Sequence, residues 1–203
     1  MACDCVSPGS ANQPDEMVTV AEESDRSQRA VFLDRDGVIN LSVVKDGKPY
    51  PPRTKKEFCY VEGVAKVLSG FKELGYLLII VTNQPDVLDS EAAEKMMSYV
   101  HGRICADLPV DDIYFCSHRD SENYKPNPGM LLAAAEKHGI ILSESFMIGD
   151  RWRDIGAGKA AGCTTIFIDY GYDEDKVYAP DHTVGSLIDA GGLVKKCRKV
   201  EQK

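Results

Sequence analysis

The chain has 203 residues, 43% of them hydrophobic and 28% charged, and its formal net charge is −8. This length fits one domain with a substantial core, and the composition is ordinary for a globular protein. No apolar run approaches the ~20 residues that a membrane span needs, and the first residues lack the basic and apolar regions of a secretory signal. Because an acidic protein repels nucleic acid at long range, the charge argues against DNA or RNA as a partner.

Seven cysteines are scattered along the chain, an odd number without the spacing of a disulfide framework. In a chain without a secretory signal this pattern is typical of reduced thiols and predicts a cytoplasmic protein. Cys3 and Cys5 would make half of a metal site, but no second pair lies near them. We therefore interpret them as thiols of a polar tail.

The two ends of the chain differ from its middle in composition. Residues 1–29 are rich in Ser, Asn, Gln, Asp, Glu and Pro and show little periodicity, which predicts a disordered N-terminal extension. Residues 195–203 are predicted to form a basic C-terminal tail. The folded domain is therefore expected to span residues 30–194.

Short apolar runs alternate with amphipathic segments through the predicted domain. The runs predicted as buried strands are 30–34, 76–82, 112–116, 145–150 and 164–169. The predicted helices are 63–74, one that begins after Asp89 or Ser90, one capped by Asn127 with Pro128 in its first turn, and a short one at 154–161. The second helix places Met96, Met97, Val100 and Ile104 on its inner face. The alternation predicts an α/β fold, a Rossmann-like three-layer α/β/α sandwich with a mostly parallel sheet.

Polar residues follow each apolar run, where the strands are expected to end. They are Asp34, Asp36, Thr82, Asn83, Cys116, His118 and Asp150, and Lys125 lies at the entry to the third predicted helix. In open α/β sheets the ligand site lies beyond the carboxyl ends of the strands. We therefore expect these side chains to converge on one edge of the sheet.

The residue types at this edge suit the transfer of a phosphoryl group. Crowded carboxylates repel one another unless a cation lies between them, and Mg²⁺ binds through one or two carboxylates together with water and substrate phosphate. Thr82 offers a hydroxyl donor and Lys125 a compact positive charge, both suited to a phosphate. Asp34 can attack phosphorus, and Asp36 can protonate the leaving oxygen and then activate water.

Four segments in chain order resemble the signature motifs of the haloacid dehalogenase superfamily. They are Asp34-Arg35-Asp36-Gly37-Val38-Ile39-Asn40, Val81-Thr82-Asn83-Gln84, Lys125-Pro126-Asn127-Pro128-Gly129-Met130 and Gly149-Asp150-Arg151-Trp152-Arg153-Asp154. Within the superfamily the chain is most similar to the branch of D-glycero-D-manno-heptose 1,7-bisphosphate phosphatases and histidinol phosphatases. The resemblance covers roughly residues 30–172.

The resemblance implies a role for each matching residue. Asp34 would be the nucleophile and a ligand of Mg²⁺, and Asp36 would be the general acid/base with its backbone carbonyl on the metal. Asp150 would be the third protein ligand, with Asp154 supporting the metal indirectly. Lys125, Thr82 and Asn83 would bind phosphate or substrate.

The gaps between the motifs lack room for a cap domain, so a capless haloacid dehalogenase type is expected. Specificity would then come from the loops 41–59 and 85–89. Arg53 lies in the first of these loops and is predicted to contact a substrate phosphate.

Two departures from the branch concern metal and substrate. Cys116-Ser117-His118 matches the first half of the zinc loop of the branch, but residues 121–124 lack its second cysteine pair, so we predict no zinc. The arginine that precedes the motif lysine in the branch is Tyr124 here, which exchanges a fixed charge for a phenol. Pro85-Asp86 likewise replace a serine-glycine pair.

The sequence therefore predicts a Mg²⁺-dependent phosphomonoester hydrolase that acts through an aspartyl-phosphate on a sugar phosphate or bisphosphate, such as heptose 1,7-bisphosphate. Histidinol phosphate and a polynucleotide 3′-phosphate are alternative substrates, although the latter needs a basic groove with stacking aromatics. A regulatory protein that binds a phosphorylated ligand is the non-enzymatic alternative. A monomer or small homo-oligomer is expected.

Overall fold

The computed structural model describes residues 28–201, so the predicted extension lies almost entirely outside the described residues. The strands are β1 (Arg29–Leu33), β2 (Val43–Lys45), β3 (Lys48–Tyr50), β4 (Tyr76–Asn83), β5 (Asp112–Cys116), β6 (Phe146–Gly149), β7 (Thr164–Ile168) and β8 (His182–Val184). The helices are α1 (Val64–Glu73), α2 (Glu91–Asp107), α3 (Gly129–His138), α4 (Trp152–Ala161) and α5 (Leu187–Glu201). No helix in this part of the chain is long and apolar enough to cross a membrane.

Six strands form one sheet in the order β5-β4-β1-β6-β7-β8, and every neighbouring pair is parallel. This confirms the predicted α/β fold with its parallel sheet. From β1 the chain adds β4 and β5 on one side and then crosses to add β6, β7 and β8 on the other. The strand order therefore reverses between β1 and β6, which is where open α/β sheets bind their ligands.

Helices cover both faces of the sheet, because successive side chains of a buried strand point to opposite sides. In β1, Val31 and Leu33 face α1, α2 and α5, whereas Ala30 and Phe32 face α3 and α4. Each of these four residues is fully buried, and burial of a Val, Leu or Phe side chain contributes roughly 1.5–3 kcal/mol. The three-layer sandwich is confirmed.

The predicted helices match the observed ones closely. Ser90 caps α2 by accepting a hydrogen bond from the Ala93 backbone N–H, and the four residues assigned to its inner face are the buried ones. The predicted cap of α3 was wrong by one residue: the N-cap is Pro128 rather than Asn127, and the Asn127 side-chain amide donates to the Ser121 carbonyl.

Several features of the fold were not predicted. The loop 41–59 contains the antiparallel hairpin β2–β3, and the chain after residue 169 adds β8 and α5. The segment predicted as a basic tail from residue 195 continues α5 as far as Glu201. Residues 28 and 29, assigned to the extension, pair with the domain through a bridge and β1. Between β1 and α1 the hairpin is the only inserted element, and no cap domain is present in the described residues.

Candidate active site

The turn after β1 brings the first motif to the sheet edge. Asp34 continues the strand pairing by donating its backbone N–H to the Ile148 carbonyl at 3.0 Å. The turn is closed by backbone hydrogen bonds from Gly37 to Asn40 and from Ile39 to Arg35. Gly37 has φ +90°, and a Cβ atom there would overlap Asp150 Oδ2. The glycine of the motif is therefore required by both the backbone conformation and the close approach of an acid.

Three buried acids meet at the point where the strand order reverses. Asp34, Asp150 and Asp154 each offer a carboxylate oxygen within 4.8 Å of the other two. Burial, assisted by the neighbouring carboxylates, raises the pKa of Asp34 to about 6 even though Lys125 opposes the shift. The pKa of Asp150 is raised well above its usual range by burial and by the charges of Asp34 and Asp154. A divalent cation bound between these groups would relieve this repulsion.

Lys125 is the cation that the chain itself supplies to this cluster. Its Nζ donates to Asp34 Oδ1 at 2.8 Å, to Asp154 Oδ1 at 2.6 Å and to the Val81 carbonyl at 2.7 Å. The other Asp154 oxygen accepts the backbone N–H of Arg151 at 3.0 Å. Both Asp154 oxygens are therefore occupied by protein donors, which is consistent with an indirect role.

Asp150 differs, because both of its carboxylate oxygens are buried and neither accepts a hydrogen bond with ordinary geometry. The nearby Tyr172 hydroxyl only partly offsets the rise of its pKa. A buried carboxylate without donors is costly unless a cation satisfies it. The donor set, oxygen atoms of Asp34 and Asp150, fits Mg²⁺.

The Asp36 side chain is held away from this acid cluster by a polar network. Its carboxylate accepts hydrogen bonds from Arg35, Asn40 and Gln84, and the Arg35 Nη2 contact is 2.8 Å long. Burial raises the pKa of Asp36, but Arg35 and the two amides outweigh it and leave the pKa below its usual value. A metal contact through the Asp36 backbone carbonyl stays a prediction.

The predicted phosphate-binding residues occupy different places. Thr82 is buried, lines the cavity above Asp34 and accepts a hydrogen bond from Gln84 at 3.0 Å. Asn83 also lines this cavity, but its side-chain amide exchanges two hydrogen bonds with the Lys125 backbone and so positions the lysine. Arg53 lies in the neighbouring groove and approaches Asp86 at 3.5 Å. Its contact with substrate stays a prediction.

The cavity above Asp34 has a volume of about 250 Å³ and is lined by more charged residues than the motifs predict. The additional ones are Lys48, Asp86, Arg119, Arg151, Arg153 and Glu174. Arg151 and Arg153 follow Asp150 within the last motif, so their proximity was predictable from the sequence. The positions of Lys48 and Arg119 depend on a hairpin and a loop that carry no motif.

Cysteine and histidine residues do not join the acid cluster. Within the described residues, the three aspartates are the only group of three or more His, Cys, Asp or Glu side chains close enough to share a metal ion. Cys116 is buried and its thiol contacts the His118 carbonyl at 3.5 Å. The five cysteines of this part of the chain are free thiols.

Comparison with known proteins decides the family. The family model described as HAD-hydrolase-like matches residues 123–190. A D-glycero-β-D-manno-heptose-1,7-bisphosphate 7-phosphatase from Helicobacter pylori is 37% identical over 144 residues, which cover 66% of this chain and 80% of that protein. The chain belongs to the haloacid dehalogenase-like hydrolases. It is a phosphatase of this family.

One further relative agrees with this assignment, and a solved structure shares the fold. A D-glycero-α-D-manno-heptose-1,7-bisphosphate 7-phosphatase from Burkholderia mallei is 34% identical over 164 residues, which cover 73% of this chain and 84% of that protein. The structure of a D,D-heptose 1,7-bisphosphate phosphatase from B. bronchiseptica, complexed with magnesium and phosphate, matches with a TM-score of 0.66. That match covers 83% of this chain and 99% of the other at 21% identity, and it supports the shared fold.

Proposed function

We propose that the protein is a Mg²⁺-dependent phosphatase that releases phosphate from a phosphorylated sugar through an aspartyl-phosphate on Asp34. The observation that carries this proposal is the buried pair of Asp34 and Asp150. Lys125 neutralises the first acid, whereas neither oxygen of the second accepts a hydrogen bond with ordinary geometry. A stable fold tolerates an unsatisfied acid at such a place when it binds a cation.

The positions of the side chains support the following reaction. Lys125 binds Asp34 Oδ1, which leaves Oδ2 to attack phosphorus. As the bond from Oδ2 to phosphorus forms, the bond to the leaving oxygen breaks, and Asp36 donates a proton to that oxygen. Asp36 then accepts a proton from the water that attacks the phospho-aspartate, which regenerates Asp34 and releases inorganic phosphate.

Asp36 must carry a proton for the first step, although Arg35 keeps its pKa low in the free protein. A phosphate dianion bound beside it would raise that pKa, because a nearby like charge disfavours the ionised carboxyl. Thr82 donates its hydroxyl to a phosphate oxygen, and Lys125 stabilises the negative charge on the transferring group. Mg²⁺ held by Asp34 and Asp150 would neutralise charge on the phosphoryl oxygens.

The sugar substrate is inferred from the relatives, whose names specify heptose 1,7-bisphosphate. Relatives assigned to both the α and the β anomer are similar to this chain, so the comparison favours neither form. The open cavity of about 250 Å³ has room for a sugar phosphate next to Asp34. A cytoplasmic location and a monomer or small homo-oligomer stay predictions.

The test is release of inorganic phosphate from a panel of substrates. The panel contains heptose 1,7-bisphosphate, fructose 1,6-bisphosphate, histidinol phosphate and a 3′-phosphorylated oligonucleotide, each with Mg²⁺ or with EDTA. We expect turnover of a sugar phosphate with Mg²⁺ alone and its loss in Asp34→Asn. The control Asp46→Asn makes the same exchange of a carboxylate for an amide at an exposed acid of the hairpin turn and should retain turnover. Turnover that persists in Asp34→Asn, or in EDTA, would contradict the mechanism.

A further inference from the structure

Several cations line the cavity of this otherwise acidic protein, and they differ in whether they have a partner. Lys125 is bound by two aspartates, and Arg151 pairs with Glu174. Lys48, Arg119 and Arg153 form no ion pair with any carboxylate among the described residues. The mouth of the cavity therefore carries positive charge that the protein does not neutralise.

Of these three side chains, Arg119 is the one that contacts the neighbour of the motif lysine Lys125. It lies in the loop between β5 and α3, and its Nη1 donates to the Tyr124 hydroxyl at 3.2 Å. The guanidinium carbon also lies 5.9 Å from the centre of the Tyr124 ring. Tyr124 is itself buried and directly precedes Lys125, so the phenol fixes the arginine relative to the reacting centre.

The remaining donors of Arg119 are available to a ligand. A guanidinium has five N–H donors in a planar fork that matches phosphate and carboxylate geometry, and the phenol uses one of them. Arg119 is exposed at the mouth, whereas Lys125 is only 2% exposed at the base. An anion on Arg119 would therefore belong to a different part of the substrate from the phosphate that Asp34 attacks.

We propose that Arg119, oriented by Tyr124, binds a second anionic group of the substrate and so sets a preference for doubly charged sugar phosphates. This inference rests on the proposed phosphatase function of the same site. The sequence alone suggested a loss of charge at Tyr124. In the fold, Arg119 lies five residues earlier in the chain and donates to the Tyr124 hydroxyl. The phenol therefore orients a positive charge that comes from another residue.

The experiment compares a substrate that has two phosphates with one that lacks the second. The pairs are heptose 1,7-bisphosphate with heptose 7-phosphate and fructose 1,6-bisphosphate with fructose 6-phosphate. We expect Arg119→Gln to lower the ratio of kcat/KM for bisphosphate over monophosphate by about 10- to 100-fold, the value of one hydrogen-bonded charge. Arg119→Lys keeps the charge without the fork, so its ratio of kcat/KM values should lie between those of wild type and Arg119→Gln. Arg103→Gln, which removes an exposed helix arginine outside the cavity, is the matched control.

Tyr124 acts through Arg119, so its variant needs a more selective measurement. Tyr124→Phe removes only the hydroxyl, and we expect it to raise KM for the bisphosphate while kcat stays the same. In the double variant with Arg119→Gln the additional effect of Tyr124→Phe should disappear, because the two residues form one unit. A ratio unchanged in Arg119→Gln, or fully additive effects, would overturn the inference.

Calorimetric binding separates this inference from the proposed function. In an Asp34→Asn background, which prevents turnover, the bisphosphate should bind more tightly than the monophosphate, and Arg119→Gln should abolish that difference. If wild type hydrolyses neither pair but the binding difference depends on Arg119, the proposed function fails and the second anion site stands. If wild type hydrolyses both sugars but Arg119 affects neither ratio nor binding, the inference fails alone.

Discussion

Replacement of Lys125 by methionine tests the electrostatics of the site most directly. Methionine keeps a linear apolar side chain of similar length but removes the ammonium group that binds Asp34, Asp154 and the Val81 carbonyl at 2.6–2.8 Å. Removing one partner from a buried ion pair typically costs 3–5 kcal/mol, because the other charge stays buried without compensation. We therefore expect Lys125→Met to lower the free energy of unfolding by about 4 kcal/mol at pH 7.5 in EDTA.

This loss should depend on pH with a defined sign. The pKa of Asp34 in the folded protein is already raised to about 6, and removal of Lys125 raises it further because the lysine was lowering it. A carboxyl whose pKa is raised by folding binds more protons in the folded protein than in the unfolded one. It therefore lowers the free energy of unfolding increasingly as the pH rises from the unfolded-state pKa to the folded-state pKa. The destabilisation by Lys125→Met is therefore expected to be smaller at pH 5 than at pH 7.5.

Urea unfolding of the variants at both pH values measures this effect. The matched control is Lys137→Met, since Lys137 approaches Asp112 at 2.7 Å with a side chain that is 62% exposed. An exposed pair of this kind contributes about 0–1 kcal/mol. If Lys125→Met unfolded within 1 kcal/mol of wild type at pH 7.5 in EDTA, the account of Lys125 as the neutralising cation would be wrong.

The remaining predictions concern the metal and the positioning of the lysine. Gly37→Ala should abolish calorimetric Mg²⁺ binding because its Cβ overlaps Asp150, whereas Gly75→Ala, which has a similar φ of +83° and nothing within 4 Å, should be strained yet bind Mg²⁺ normally. Saturating Mg²⁺ should raise the melting temperature more at pH 7.5 than at pH 5, since protons compete for the buried carboxylates; an equal rise at both would contradict their assignment as ligands. Asn83→Leu removes both hydrogen bonds to the Lys125 backbone and should lower kcat/KM about tenfold in a steady-state assay. An unchanged kcat/KM in Asn83→Leu would contradict a role of Asn83 in positioning Lys125.

The elements that periodicity predicted are those whose burial follows a simple pattern. Continuous apolar runs such as 76–82 became central strands, and the four apolar positions of α2 became its buried face. The convergence of the acids was also predictable, because parallel strands end at the same edge and the motifs follow those strands. The pairing of Asp36 with Arg35 and Gln84 was not, since it depends on side-chain rotamers within the turn.

The elements that were missed depend on tertiary contacts. Helix α5 contains Gly191 and Gly192, which weaken helix propensity, yet Gly191 allows a close approach to Val67 of α1. Tertiary packing therefore stabilises α5 although its local sequence has a low helix propensity. β8 has three partly or largely exposed residues and takes its register only from β7. Arg119 was missed for a similar reason, because its contact with Tyr124 arises from the path of a loop.

The hairpin β2–β3 has a consequence for how substrate choice can change among related enzymes. It forms one wall of the cavity through Lys48, Pro49 and Tyr50, and Pro49 is the only buried residue in its two strands. A backbone hydrogen bond from Asp173 to the Gly47 carbonyl connects its tip to the body of the domain. Because so few core contacts depend on it, the hairpin can be exchanged or lengthened at little cost to the free energy of unfolding. The proposed catalytic residues and this wall of the cavity are thus encoded in separate segments, so that a change in one can leave the other intact.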